Sequence, residues 1–109
     1  MSIYAIGFLR HDVSGAHLLC DEVRIRSLAC RLGYHLRTIV TFASRADDLG
    51  LRLRDLAEAH CADAVVVSGV AHFDDGAVPT KLLRIADVIT VEPEYTYARI
   101  GWAQREHLR

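Results

Sequence analysis

Residues 10–15, Arg-His-Asp-Val-Ser-Gly, bring together side chains suited to phosphoryl chemistry. A guanidinium group and free backbone amides hold an anion while a nearby hydroxyl attacks it, so Arg10 and Ser14 form the candidate pair. Asp12 lies between them and adds a carboxylate. The segment lacks the glycine spacing of a dinucleotide-binding or P-loop motif. The same residues also fit an ordinary polar loop in which Ser14 caps the following helix, and the sequence leaves both interpretations open.

A second candidate segment, residues 68–76, contains Ser68, His72 and the sequence Asp-Asp-Gly, which is typical of a turn. A crevice between this segment and residues 10–15 would suit a small ligand. The expected ligand contacts in that crevice are Arg10, Ser14, Ser68 and His72. No motif indicates a cofactor.

The His and Asp residues of the two segments raise the question of a metal site. His11, Asp12, His72, Asp74 and Asp75 all carry ligand atoms. Their spacing matches no established metal motif. We therefore expect no metal site and histidines that are exposed in loops.

Both candidate segments directly follow apolar runs, residues 3–9 and 64–67, that show no polar alternation. Such runs are typical of strands covered on both faces, as in a parallel sheet. In that architecture functional groups collect beyond the carboxyl ends of the strands. Gly7, inside the first run, predicts close approach of a neighbouring element.

The rest of the chain alternates between helix and strand patterns. The predicted helices are residues 18–32, 51–60 and 82–86, and the further strands are residues 36–42 and 87–91. This alternation predicts one α/β domain over residues 1–109. Its expected form is a three-layer α/β/α sandwich around a mostly parallel sheet of four or five strands.

Several residues mark the expected ends of these elements. Gly33 is placed to cap the first long helix, Asp47 or Asp48 to cap the start of the next, and Pro79 to occupy the first position of the last. Residues 94–109 fit either an edge strand or a final helix, and we favour the helix. Its aromatic residues are expected to pack on the sheet edge or on a second subunit: Tyr95, Tyr97 and Trp102.

Composition limits the classes of function. A net charge of −1 provides no overall attraction to nucleic acid, so DNA binding by this domain alone would be local and weak. No CxxC spacing connects the three cysteines, which predicts free, partly buried thiols in a reducing compartment. No apolar run approaches the length of a membrane span, so we expect a cytoplasmic protein without a membrane partner.

The order of these motifs resembles the catalytic domain of the serine recombinase family, the resolvases and invertases. The resemblance covers residues 3–92. It rests on four short motifs and their order: Gly7-Phe8-Leu9-Arg10, Leu32-Gly33-Tyr34, Thr41-Phe42-Ala43-Ser44 and Asp63-Ala64-Val65-Val66-Val67. What it implies is a resolvase-like fold. Family members also continue through a long dimer helix into a separate DNA-binding domain, and residues 98–109 would supply only the start of that helix.

Proteins of that family cut DNA with a serine two residues beyond an arginine, and further arginines hold the scissile phosphate. Placing residues 7–10 on the family's Gly-Tyr-x-Arg motif keeps Arg10 and puts Asp12 at the nucleophile position. A shift of two residues keeps Ser14 as the nucleophile and puts Asp12 on the arginine position. The resemblance thus makes Arg10, Asp12 and Ser14 the catalytic candidates. Neither placement keeps both the arginine and the nucleophilic serine.

The family's second motif, Asp-Arg-Leu-x-Arg, corresponds to residues 71–75, where His72 and Asp75 replace the two arginines. A carboxylate beside a phosphodiester is repulsive by several kcal/mol in a partly dry site, whereas an arginine attracts it by a similar amount. The expected arginine of the second helix also has no clear counterpart, although Arg45 and Arg52 are near its place. We therefore expect that cleavage has been lost.

Three hypotheses follow. The first is a resolvase-like domain without DNA-cleavage activity that serves as an interaction or regulatory module, as a homo-oligomer or with another protein. The second is an active serine recombinase domain. The third is a small-molecule or nucleotide-binding α/β protein whose crevice lies between Arg10 and Ser68.

Overall fold

The computed structural model describes residues 3–100. Its strands are β1 (Tyr4–Arg10), β2 (His35–Phe42), β3 (Ala64–Val67), β4 (Asp87–Thr90) and β5 (Tyr95–Tyr97). Its α-helices are α1 (His11–Ser14), α2 (Leu18–Arg31), α3 (Leu49–Ala59) and α4 (Thr80–Leu83). Three 3₁₀ turns complete the described elements: Gly15–His17, Val70–His72 and Asp74–Gly76.

The strands form one sheet in the order β2-β1-β3-β4-β5. β1 pairs in parallel with β2 and β3, and β3 pairs in parallel with β4, whereas β5 is antiparallel to β4. The helices lie on both sides of this sheet. The predicted α/β fold with a mostly parallel, five-stranded sheet is therefore confirmed.

Side chains of β1 alternate between the two halves of the core because successive residues of a strand point to opposite faces. Ile6 and Phe8 face α3 and α4, while Ala5 and Leu9 face α2. All four are completely buried. Burial of each large apolar side chain contributes roughly 1.5–3 kcal/mol, so the apolar runs seen in the sequence hold the three layers together.

Two glycines have the roles that the sequence predicts. A Cβ atom on Gly7 would lie 2.9 Å from Ile39 Cγ1 and 3.0 Å from Ile25 Cγ2, so only glycine allows β2 and α2 to pack this closely on β1. Gly33 has a φ of 86° and follows Leu32, the residue that caps the C-terminal end of α2. The amides of Gly33 and Tyr34 donate to Cys30 O and Ala29 O at 3.0 and 2.9 Å, which is a Schellman motif.

The prediction of a loop over residues 10–15 is wrong. Arg10 is the last residue of β1, and His11–Ser14 forms a helical turn that the Gly15 amide closes on His11 O. Gly15 has a φ of 54°, which allows the chain to turn into the following 3₁₀ segment. A single turn contains too few residues to show a helical period, so the pattern could not reveal it.

Smaller corrections concern the ends of the later helices. Asp48 does precede α3, but its φ is 49° and its carboxylate makes no cap hydrogen bond. It accepts instead from Lys81 Nζ at 3.0 Å, across to α4. Pro79 lies one residue before α4 rather than at its first position.

At the C-terminal end, Tyr95–Tyr97 forms an edge strand, so the preference for a helix over residues 94–109 is wrong at these residues. Pairing with β4 satisfies the backbone there. Tyr97 packs on the core, whereas Tyr95 is largely exposed. Trp102 and the rest of residues 101–109 lie outside the described residues.

The prediction of partly buried thiols is also wrong. Cys20 and Cys30 of α2 and Cys61, in the turn after α3, are all exposed.

Candidate functional site

A cavity of about 410 Å³ opens at the carboxyl ends of β1 and β3. The chain runs from β1 outward to β2 on one side and then returns to β3 on the other. The strand order therefore reverses between β1 and β3, and α/β sheets bind ligands at such a switch point. The polar lining of the cavity comes from the segments after β1 and β3 and from α2. These lining residues include Ser14, Asp21, Arg24, Ser68, His72 and Glu92. Below, this cavity is called the switch-point crevice.

Arg10 lies beside the crevice, where it is hydrogen-bonded to one carboxylate and close to a second. Its Nε and Nη2 atoms donate to the two oxygens of Asp12 at 3.0 and 2.7 Å. Its Nη1 atom lies 3.8 Å from Asp74 Oδ1, which is also 3.4 Å from Arg45 Nε. The Arg10 side chain is only 12% exposed. The guanidinium is thus already paired with carboxylates, and a phosphate would have to compete with them.

The hydrogen bonds between Arg10 and Asp12 act on both ionisable groups. They raise the pKa of the Arg10 guanidinium, chiefly through the bond to Asp12. The same bond lowers the pKa of the Asp12 carboxyl. Asp12 is therefore fixed as a carboxylate at one of the positions where the resemblance predicts a nucleophile.

Ser14 is 6% exposed and donates from Oγ to Asp21 Oδ2 at 2.7 Å. Asp21 lies in the first turn of α2 and is 8% exposed. No hydrogen bond connects Ser14 to a backbone amide of a helix start, so the capping role is wrong. The hydroxyl is committed to a buried carboxylate on the wall of the crevice.

His72 is buried, at 3% exposed, which corrects the expectation of an exposed loop histidine. Its Nδ1 atom accepts from the Arg10 backbone amide at 2.9 Å and so ties the end of β1 to the segment after β3. Burial lowers its pKa, and the nearby Asp21 carboxylate opposes that shift in part. A neutral ring that accepts at Nδ1 carries its proton on Nε2.

The outer rim of the crevice is also polar. Arg24 Nη1 lies 3.5 Å from Glu92 Oε2, and both side chains are more than half exposed. Ser68 O accepts from the Glu92 amide at 3.0 Å, which joins the end of β3 to the end of β4. A Cβ atom at Gly69 would lie 3.3 Å from Glu92 O, so the chain passes tightly here.

The four predicted ligand contacts are close together at this end of the sheet. Ser14, Ser68 and His72 line the crevice itself, and Arg10 is bonded to His72 at its side. His11 is exposed. Within residues 3–100, no three His, Cys, Asp or Glu side chains are grouped to hold a metal ion.

Asp21 is the site residue that the sequence analysis missed. It stands four and seven residues before Ile25 and Leu28 on the buried face of α2. An acid on an apolar helical face needs a hydrogen-bond donor. The position of Asp21 on the apolar face was therefore the sequence signal for a buried hydrogen bond, and Ser14 provides the donor.

A scan against protein-family models finds no match to this chain, and a search of curated proteins finds no relative. The helices within residues 3–100 are all too short or too polar to cross a bilayer. Function must therefore be argued from the geometry of the site.

Proposed function

We propose that this chain is a resolvase-like domain that does not cleave DNA and that acts as an interaction or regulatory module. The observation that carries the proposal is the pairing of Arg10 with Asp12 and Asp74. The arginines that would hold a scissile phosphate lie beside carboxylates instead. The cluster of Arg10, Arg45, Asp12 and Asp74 therefore has no net charge.

The sign of the electrostatic effect supports loss of cleavage. At a given distance, a carboxylate repels a phosphate about as strongly as a guanidinium attracts it. A phosphate close to Arg10 would also be close to Asp12, so the attraction and the repulsion are of similar size. Asp12 is 41% exposed, and water screens both terms.

The alternative of an active recombinase requires a free nucleophile. The Ser14 hydroxyl donates a hydrogen bond to Asp21, and Ser14 is only 6% exposed, so its burial opposes attack on a DNA backbone. The direct experiment is to incubate the protein with supercoiled plasmid DNA and to trap covalent protein–DNA adducts by denaturation. We expect no adduct. An adduct that disappears in Ser14→Ala would contradict the proposal and support the active enzyme.

An interaction role is supported by the apolar surface around α2. Within residues 3–100, six large apolar side chains are exposed, and four of them belong to α1, α2 or the residue after α2: Val13, Leu19, Val23 and Leu32. Leu19 and Val23 are 75% and 64% exposed and lie one turn apart on the same helical face. A second copy of the chain is the simplest partner for such a face.

Sedimentation velocity over a range of protein concentrations tests this self-association. We expect a dimer that Leu19→Glu dissociates. Ser27→Glu, on an exposed residue of the same helix, is the matched control and should leave the dimer intact. Strictly monomeric wild-type protein at high concentration would contradict the homo-oligomer.

The switch-point crevice favours a second candidate, a small-molecule or nucleotide-binding protein. Its volume lies within the range of known ligand pockets, and Ser14, Ser68 and His72 provide hydrogen-bonding groups. Thermal-shift screening with nucleotides and other small polar molecules tests it, because a ligand that binds only the folded state raises the melting temperature with saturating dose dependence. Ser68→Ala should abolish the shift; a ligand whose effect Ser68→Ala leaves unchanged binds elsewhere.

A further inference from the structure

A second cavity, of about 340 Å³, lies between α3 and α4. These helices pack on the face of the sheet opposite to α2, so this cavity is separate from the switch-point crevice. Its lining consists of Leu51, Arg54, Thr80, Lys81 and Arg84. Three of these five residues are cations and none is an acid, in a chain whose net charge is −1. Below, it is called the α3–α4 cavity.

The three cations differ in their partners. Lys81 Nζ donates to both oxygens of Asp48, at 3.0 and 3.1 Å. Within residues 3–100, neither Arg54 nor Arg84 has a carboxylate oxygen within 4.0 Å. The Lys81–Asp48 pair is neutral as a unit, so the two guanidinium groups leave the cavity with an excess of positive charge.

Arg54 also has an unsatisfied hydrogen-bond donor. Arg54 Nε is buried from solvent and has no hydrogen-bond partner within the described residues. A buried donor without a partner costs roughly 1–3 kcal/mol, so folded proteins rarely leave one unless another group supplies the acceptor. Arg54 is one of the residues that line the cavity, and its positive charge therefore acts on an anion bound there.

We propose that the α3–α4 cavity binds the phosphate group of a small ligand, through Arg54 and Arg84. A phosphate presents several strong acceptor oxygens, which matches two guanidinium forks and the hydroxyl of Thr80. A single carboxylate has only two oxygens and would leave donors unused. The available volume is at the lower end for ligand pockets, which favours a small phosphorylated molecule.

The close packing of the two helices fixes the geometry of the site. A Cβ atom on Gly50 would lie 2.7 Å from Pro79 Cβ, so α3 and α4 approach to backbone distance beside the cavity. The ion pair between Asp48 and Lys81 spans the same junction. Because these contacts hold both helices without a ligand, the two arginines already line the cavity before an anion arrives.

The test uses the full chain labelled with ¹⁵N and titrated with inorganic phosphate or pyrophosphate. Sodium chloride of equal ionic strength serves as the reference, because it screens charge without filling the site. We expect saturable shifts of the Arg54 Nε–H resonance and of the Thr80 amide. Shifts of the same size and shape in sodium chloride would overturn the proposal.

Substitutions then assign the site. Arg54→Gln combined with Arg84→Gln should weaken phosphate binding at least tenfold. Arg26→Gln removes one positive charge from an exposed residue of α2, as Arg84→Gln does at the cavity, and should change the affinity by less than twofold. If the double variant does not fold, Arg84→Gln alone, at an exposed residue, should still weaken binding several-fold. Equal losses of phosphate affinity in Arg26→Gln and in the cavity variants would show non-specific attraction and would overturn the proposed site.

Single-stranded DNA gives the last arm of the experiment. Tighter binding of an oligonucleotide than of pyrophosphate, with the same dependence on Arg54 and Arg84, would overturn the small-ligand assignment in favour of nucleic acid. The site does not depend on the function proposed for the crevice. A negative DNA-cleavage result and a positive phosphate titration are therefore compatible, and each can fail alone.

Discussion

Replacement of Ser14 by alanine is a sharp test of the site geometry. The Ser14 hydroxyl is the observed side-chain partner of Asp21, whose carboxylate is 8% exposed. A hydrogen bond to a charged group contributes about 1.5–3 kcal/mol, and its loss leaves the carboxylate in a largely buried place without that donor. We therefore expect Ser14→Ala to lower the free energy of unfolding by about 2 kcal/mol.

Urea denaturation followed by far-ultraviolet circular dichroism measures this change, and a double-mutant cycle isolates the pair. Once Asp21 is replaced by alanine, Ser14→Ala should cost little more, which corresponds to a coupling energy of about 2 kcal/mol. Ser27→Ala, exposed on the same helix, should remain within about 0.5 kcal/mol of wild type. A cost below about 0.5 kcal/mol for Ser14→Ala, or strict additivity in the cycle, would refute the buried pair.

Other parts of the structure give further expectations. Burial lowers the pKa of His72, so the unfolded chain binds a proton more readily than the folded one, and stability should fall as the pH drops below about 6.5. His72→Asn, which keeps an acceptor for the Arg10 amide, should flatten this part of the profile; an unchanged profile would assign the acid sensitivity to other groups. Gly7→Ala should cost about 1–3 kcal/mol through overpacking, and Ile39→Ala in the same chain should recover part of that cost; independent, additive losses would show that the two do not compete for space. All three cysteines are exposed, so a thiol reagent should label three thiols in the folded protein, and fewer than three would contradict their placement.

The core strands could be predicted from sequence because burial on both faces leaves an unbroken apolar run. Ala64–Val67 and most of β1 show this pattern directly. Gly33 was predictable as well, since a left-handed residue after a helix favours glycine strongly. β5 was not, because two tyrosines with a threonine between them fit an exposed edge as well as a helix face.

The candidate site was predictable as a place but not as a set of bonds. Parallel strands bring the segments after β1 and β3 to one edge of the sheet, which placed Ser14, Ser68 and His72 near each other. The pairing of Ser14 with Asp21 depends on how α2 rotates over β1, and local patterns do not contain that angle. The burial of His72 depends in the same way on its bond to the Arg10 amide.

The proposal depends most on the carboxylates that neutralise Arg10 and Arg45, and one measurement addresses them directly. It is the fluorescence anisotropy of a labelled DNA duplex, titrated with wild type and with the Asp12→Asn, Asp74→Asn double variant over a range of salt concentrations. The account predicts weak wild-type binding. It also predicts several-fold tighter binding by the variant, because two guanidinium groups become available. The affinity of the variant should fall more steeply with salt, by an amount that corresponds to up to about two additional phosphate contacts. Equal affinities and equal salt slopes for the two proteins would contradict it.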